Sequence, residues 1–570
     1  MASDTKQQMR QVAQSLKTLR MPYEAHLQEV GRQFKPRRTR FSKGKDHRSE
    51  SYVNKELVNP RPLYALRVLQ SGMHGGMTSP ARPWFRLLAQ DEAQRRDAVM
   101  KEHLDKAQKE MRHIMQQSGM YNVLHTTWGD LGWCGTDAMI VEPDDRFVVR
   151  ATPLVPGEYW LGTNGRGEVD TCYREFRMTT KQIVGKFVYK NVPNGPPDWS
   201  VVPHSLKKSW DDGNVGELHD VAHLITPRMD RDPRRPFGGG KPIASVYWLH
   251  GKMDGDDKRL LGEFGYDRNP LVASRWDVEG YDVYGTSPAM DTLFAAKSLQ
   301  VQERDYAEAV RRVNRPPMNA PAELRNSGFS LMPEAVNFMA DPSKGLVPSY
   351  QVNPPLQHLR ENIQDTEQRI DEGMYANLFL MISRLQRREI TAREIDERHE
   401  EKLLGLGPVI ERQHAEKLGP VIRQVYELAI DAGRIPSLPE DYADEPVQID
   451  YISMLAQAQK AIATGGVERL YGFLGNLSAA DQEVLDITDN DEAVRQYADM
   501  LGVPGSILRD EQDVQQRRDE RREAVAAQNT VDQAAELAPA VKQTADAAKV
   551  IAETDATGRP VDILRNLGLK

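Results

Sequence analysis

The chain has 570 residues, and 75 Lys plus Arg against 83 Asp plus Glu give a formal charge of 75 − 83 = −8. At roughly 100–200 residues per domain this length allows about three to five domains, and 39% hydrophobic residues with 35 Pro and 41 Gly exclude disorder throughout. The mild acidity argues against a tight grip on nucleic acid over a large surface, because such affinity comes from Lys and Arg displacing counterions; brief or sliding contact stays open.

Two cysteines, Cys134 and Cys172, cannot build a disulfide framework and read as buried thiols, so a cytosolic origin fits. The N-terminal MASDTKQQMRQV has no apolar core of a signal peptide. The apolar run from Leu378 to Ile382 is far short of the ~18 residues a membrane span needs, so no membrane role is expected.

In chain order, residues 4–33 predict a helix with Met9, Val12, Leu16, Leu19 and Met21 as its apolar positions. A basic loop follows: from Arg32 to Arg48 eight Lys/Arg and one Asp give a local charge of +7. Its Lys35, Arg37, Arg38, Arg40, Lys43 and Lys45 are candidates for contact with nucleic acid or an acidic partner, or else belong to a solvated loop. Helical pattern resumes over 60–70 and is expected to break at Gly72, Gly75, Gly76 and Pro80, ahead of Trp84 and Phe85. A further helix is expected over about 90–117.

From about Met139 to Arg275 short alternating segments such as FVVRATPL and SVYWLHGKM, punctuated by Thr163-Asn164-Gly165-Arg166-Gly167, predict a mainly β block. Within it residues 193–241, rich in Pro, Gly and Asp, are expected to be an exposed loop. A long helix over 288–313 carries Tyr306, Val310 and Val313 on one face. A Pro-punctuated stretch from Arg315 to Pro355 comes next, and a second helix from Leu356 has Leu359, Ile363, Ile370 and Met374 in one stripe. Two helices of about 25 residues, each ~38 Å long, therefore bracket a compact insertion.

After Leu385, Thr391 and Glu394 predict a capping box. Leu406-Gly407-Pro408-Val409-Ile410 recurs twelve residues later as Leu418-Gly419-Pro420-Val421-Ile422. Proline removes a helical hydrogen bond, so one or both copies should kink or interrupt the helix. Gly433 and Pro436 stop it, the remainder reads as helical to about 522, and residues 524–553 hold 11 Ala, a segment that needs lateral neighbours. The fold class expected is α+β, predominantly helical.

No catalytic constellation emerges, and neither a cofactor nor a metal site is expected. Gly238-Gly239-Gly240-Lys241 is followed by Pro242, without the hydroxyl a phosphate loop supplies to magnesium. His219 and His223 are spaced i, i+4 but flank Asp220 where a zinc-protease helix carries Glu, and read as surface histidines. Gly162, Gly165 and Gly167 read as hairpin glycines. The acidic group Glu394, Asp396, Glu397, Glu400 and Glu401 covers more than one helix face and reads as solvated.

Several ordered segments resemble the head-to-tail connector, or portal, family of short-tailed phages (podoviruses). They are Gly72-Met73-His74-Gly75-Gly76-Met77-Thr78-Ser79-Pro80 before Trp84-Phe85, Tyr121-Asn122 before Asp130-Leu131-Gly132 and Gly135-Thr136, and Pro156-Gly157-Glu158-Tyr159. Arg174-Glu175 with Met178-Thr179, Tyr284-Gly285-Thr286-Ser287-Pro288, and Thr391-Ala392-Arg393-Glu394 before Leu406-Gly407-Pro408 complete the set across residues 60–510.

The resemblance implies a non-enzymatic homododecamer that forms a channel for double-stranded DNA at one capsid vertex. It would be assembled in the host bacterial cytoplasm and serve packaging, retention and ejection of the genome. It implies a wing over 1–285 (β-rich from about 139), stem helices over 286–313 and 356–380, and a clip over 314–355. A channel loop over 381–391, a kinked wing helix and connection over 392–450, and a crown with helical tail over 451–570 follow. Implied partners are the terminase large subunit, a tail adaptor, and the major capsid and scaffolding proteins. Arg384, Arg387 and Arg388 fall in the implied channel loop, where cations could touch phosphates without reading bases. Twelve copies carry 12 × −8 = −96, and an acidic wall would repel phosphate and let DNA slide. Two other classes remain open on the residues alone: a metal-dependent enzyme acting on nucleic acid through Asp, Glu and His of the β-rich block, and a tail or scaffold adaptor without a DNA channel.

Overall fold

The computed structural model describes residues 2–41, 57–91, 97–190, 195–229, 237–250, 260–320, 355–385, 405–436, 447–457, 470–477 and 487–500, with shorter stretches up to 528. The chain falls into two compact units, Met1–Gly475 and Asn476–Lys570.

In the first unit α1 spans Ala2–Phe34. Helix α2, Arg61–Met77, runs straight through the glycines expected to break it. Their role is close packing: a Cβ on Gly72 would sit 2.2 Å from the Phe379 ring, and one on Gly76 would sit 2.8 Å from Leu455. Strand β1 (Phe85–Ala89) precedes α3 (Ala98–Gln117) and α4 (Met120–Cys134). Asp97 caps α3 by accepting from the Val99 amide. Trp128, Leu131 and Trp133 of α4 are buried.

The β-rich block is two antiparallel sheets. Strands β2 (Thr136–Asp144), β3 (Val148–Pro153) and β9 (Leu271–Arg275) form one, in the order β3-β2-β9. The other runs β4-β5-β6-β7-β8 in sequence order: Tyr159–Thr163, Val169–Thr179, Leu218–Pro227, Ile243–Leu249 and Gly262–Tyr266. The turn Asn164–Gly167 joins β4 to β5, with Gly167 at φ +78°, as the hairpin reading requires.

Residues 193–241 depart from the expected loop. They contain helix α5 (His204–Asp211) and the middle strand β6. His219 and His223 are accordingly not on the surface. Both lie on β6, where residues four apart share a face. His219 Nε2 lies 2.9 Å from Thr180 Oγ1, and His223 stacks on Tyr247 with ring centroids 3.8 Å apart. The His223 imidazole accepts from Arg174 Nε and faces Ser245 Oγ, each at 2.9 Å. Burial, with Arg174 and Lys186 nearby, holds it neutral, well below the usual histidine range.

After a helical turn at Pro288–Asp291, capped by Ser287, comes α6, Leu293–Asn314. A two-residue ladder pairs β10 (Met318–Asn319) with β11 (Val347–Pro348). Helix α7, Leu356–Gly373, then packs antiparallel on α6, with Thr292 against Gly373 and Glu303 level with Glu367. Tyr375, at φ +55°, separates α7 from α8, Ala376–Leu385. The break between helices thus falls at Met374–Tyr375, and residues 381–385 of the expected loop are helical.

The LGPVI repeats behave differently. Pro408 opens α9 (Gly407–Gln413), where a missing N–H costs nothing. Pro420 instead follows a π-helical turn, His414–Leu418, and opens α10 (Gly419–Asp431). Proline cannot donate to the carbonyl four residues back and its ring crowds that carbonyl; widening the turn relieves both. Gly433, at φ +67°, ends the helix. Strand β12, Val447–Tyr451, lies in the stretch expected to be helical; it pairs antiparallel with β1, Phe85 opposite Tyr451. The largest core joins α2, α3, α4, α6, α7, α9 and α10. In the second unit, α11 (Asn490–Met500) is tied to residue 518 by Asp491 accepting two bonds from Arg518 at 2.5 and 2.6 Å. The Thr391 and Glu394 capping box, the acidic group at 394–401 and nearly all of the Ala-rich tail lie outside the described residues.

Candidate nucleic-acid interface and the junction behind it

The basic loop after α1 is used largely to hold the chain together. Lys35 Nζ donates to Gln70 Oε1 at 2.9 Å, and burial pulls its ammonium below the ordinary lysine range. Arg38 grips the buried Asp130 through Nε at 2.7 and 2.8 Å and Nη2 at 2.6 Å, and also donates to the Leu154 carbonyl. Arg40 pairs with Glu158 at 2.5 Å. Arg37 is the exposed cation of the turn Pro36–Arg38. Lys43 and Lys45 lie outside the described residues. Arg384 belongs to the last turn of α8, while Arg387 and Arg388 lie outside the described residues, so the structure brings the two basic groups into no common site.

Behind the basic turn lies a buried polar junction absent from the sequence reading. Burial pushes the Asp130 carboxyl up from its usual range against the pull of Arg38; Trp133 Nε1 also donates to it, at 3.3 Å. Gln70 links Lys35 to His125, donating to the His125 carbonyl at 2.8 Å. His74 and His125 meet edge to face with centroids 5.3 Å apart. Burial chiefly, then His125 and Lys417, push His74 down to about 4. His74 Nδ1 lies 3.1 Å from Thr78 Oγ1, which accepts from Trp128 Nε1 at 3.0 Å.

The π-helical turn supplies the other side. Lys417 Nζ donates to Asp137 Oδ2 at 2.6 Å and lies 3.8 Å from the Trp128 ring centroid. Burial lowers this ammonium from its ordinary value, and Asp137 pulls the other way. Glu416 accepts from the Arg275 backbone amide at 2.9 Å and from its Nη2 at 2.7 Å, while Gln413 donates to the Arg275 carbonyl at 2.7 Å. A Cβ on Gly419 would come within 2.9 Å of the His414 carbonyl, where Tyr451 Oη donates at 3.0 Å. One widened turn thus fastens the α9–α10 helix to β2, β9 and β12. The local signal for it was the second LGPVI; its partners Asp137 and Arg275 gave none.

A third polar cluster sits where α6 meets α7. The Asn59 side chain donates to Glu303 at 2.8 Å and Glu367 at 2.9 Å, Gln300 accepts from the Asn59 amide at 2.8 Å, and Arg61 pairs with the buried Asp371. Cys134 and Cys172 are both buried and pushed up to about 12 by burial, which makes them inert thiols. Among the described residues no group of three His, Cys, Asp or Glu side chains is placed to hold a metal ion, and no helix is long and apolar enough to cross a membrane.

Residues 6–508 match the family described as bacteriophage head to tail connecting protein. The portal protein of Salmonella phage epsilon15 is 35% identical over 568 residues, covering 98% of this chain and all of the relative. A probable portal protein of Bordetella phage BPP-1 is 36% identical over 542 residues, covering 95% of this chain and 94% of that protein. With a family match over most of its length and two relatives aligned nearly end to end, the chain belongs to the bacteriophage head to tail connecting protein family.

Proposed function

We propose that this head-to-tail connector acts as a portal: twelve copies close into a ring whose central channel passes double-stranded DNA at one capsid vertex. In this reading residues 1–285 are the wing, α6 and α7 the stem, and 314–355 the clip on which the terminase large subunit docks during packaging and a tail adaptor afterwards. Residues 381–391 face the channel, 392–450 form the kinked wing helix and connection, and 451–570 form the crown and tail. Major capsid and scaffolding proteins surround the wing, and the virion vertex is its place of work. The protein's own task involves no catalysis; the motor supplies the force.

The observation that carries the reading is the antiparallel α6–α7 pair, in the order helix, Pro-rich insertion, helix. Its base is fixed by Asn59, Arg61 and Asp371, so load on the insertion passes into the body. The junction around Lys417 serves the same end, since buried and fully partnered polar groups hold elements in one arrangement. Native mass spectrometry should find a species of about 12 × 64.5 = 774 kDa. A stable monomer or dimer under all assembly conditions would defeat the proposal.

A further inference from the structure

The α6–α7 pair has a polarity of charge that its inward packing does not use. The inner faces are set by buried Leu293, Ala296 and Leu299 on α6 and by Ile363, Thr366 and Ile370 on α7. Arg304 and Arg311, seven residues apart, share one exposed flank of α6. Phe294, 83% exposed, and Val301, 54% exposed, border that flank. On α7 the exposed Glu361 and Asp365, four apart, occupy the face turned away from α6.

We propose that the cationic flank of α6, through Arg304 and Arg311, docks against the acidic outer face of α7, through Glu361 and Asp365, in a second copy of this chain. This rests on the ring reading above and names the seam that closes the ring.

The argument is one of level as well as sign. Because Asn59 bonds both Glu303 and Glu367, those residues mark one height along the antiparallel pair. Copies related by rotation alone stand at equal heights. For stem helices running near the axis, a rise of ~1.5 Å per residue sets Arg304 within about one residue of the neighbour's Asp365. Arg311 falls about two residues from Glu361, ~3 Å along the axis and within reach of a flexible guanidinium. A two-fold contact of α6 with α6 would oppose arginine to arginine, whereas α6 on α7 opposes unlike charges, which favours a head-to-tail ring over a closed dimer. The same contact covers Phe294 and Val301.

The test uses two full-length variants. Arg304→Glu with Arg311→Glu makes both faces acidic, and Glu361→Arg with Asp365→Arg makes both basic; all four sites are exposed. Each variant alone should lose the ring by mass photometry, remaining at the mass of single chains with a parent-like circular dichroism spectrum. Mixed in equal amounts they should recover rings with alternating variants, because every seam then pairs unlike charges. Rings from either variant alone at the parent's yield, or a mixture that stays unassembled while the parent assembles, would overturn the proposal. A parent that forms no ring would instead overturn the portal reading beneath it.

Discussion

Lys417 donates to Asp137 across 280 positions of sequence, with side chains only 1% and 3% exposed. Removing one partner leaves a buried charge without its counterion, which costs about 3–5 kcal/mol. Lys417→Met should therefore lower the stability of the purified protein by roughly that amount, read by denaturant unfolding through tryptophan fluorescence. The double variant Lys417→Met, Asp137→Leu should recover much of the loss. A single variant within about 1 kcal/mol of the parent would show the pair to be dispensable.

His74 gives the junction a pH dependence. Its folded-state value is pushed down to about 4 from an ordinary 6.5. Between those values the unfolded chain binds the proton and the folded chain does not, so this contribution is complete above 6.5 and is lost as pH falls toward 4. His74→Gln should flatten stability against pH in that window. His125, lowered by its own burial, leaves a residual slope. A variant whose profile parallels the parent's throughout would place the titration elsewhere.

Arg37 and Arg38 are neighbours with opposite employment. Arg38→Ala strands the buried Asp130 and should cost on the order of 3 kcal/mol. Arg37→Ala should leave stability within about 0.5 kcal/mol. If the turn touches DNA, it should also reduce the slope of log affinity for nonspecific duplex against log salt by about 1. An unchanged salt slope would make this turn purely structural.

What could be read along the chain was local: α1, the α6 and α7 stripes, the Asn164–Gly167 hairpin and the interruption at the second LGPVI. Strand β6 was missed because His219, Asp220 and His223 break its apolar alternation, and Thr180, Ser245 and Arg174, which satisfy those histidines, come from other strands and turns. Helix α2 was cut short because Gly72 and Gly76 look like breakers until Phe379 and Leu455 are known to lie against them. The pairing of β1 with β12 joins Phe85 to Tyr451, a register with no neighbouring signal. Of the candidate basic residues, the charge was visible but not its use: nothing adjacent to Lys35, Arg38 and Arg40 announces Gln70, Asp130 and Glu158.

Gly135, at φ +71°, links α4 to β2, and a Cβ there would lie 2.2 Å from the Gly285 carbonyl oxygen. Gly135→Ala should cost more than about 1 kcal/mol through backbone strain and collision. Gly165→Ala, at a hairpin position with nothing within 4 Å, should be nearly neutral. Thermal unfolding of the two variants side by side decides it, and equal midpoints would contradict the close approach.

Replacing Arg384, Arg387 and Arg388 with Ala together should leave ring assembly intact and reduce DNA retention after packaging, more visibly at low ionic strength. A triple variant that fails to assemble, or retains DNA as the parent does at every salt concentration, would remove these arginines from the channel.

Electron cryomicroscopy of the assembled protein tests the central claim most directly. The portal reading predicts a closed ring of twelve copies around an open axial channel, with α6 and α7 of every copy in the channel wall. A stable assembly with no axial opening, or one whose α6–α7 pairs lie remote from any opening, would contradict it.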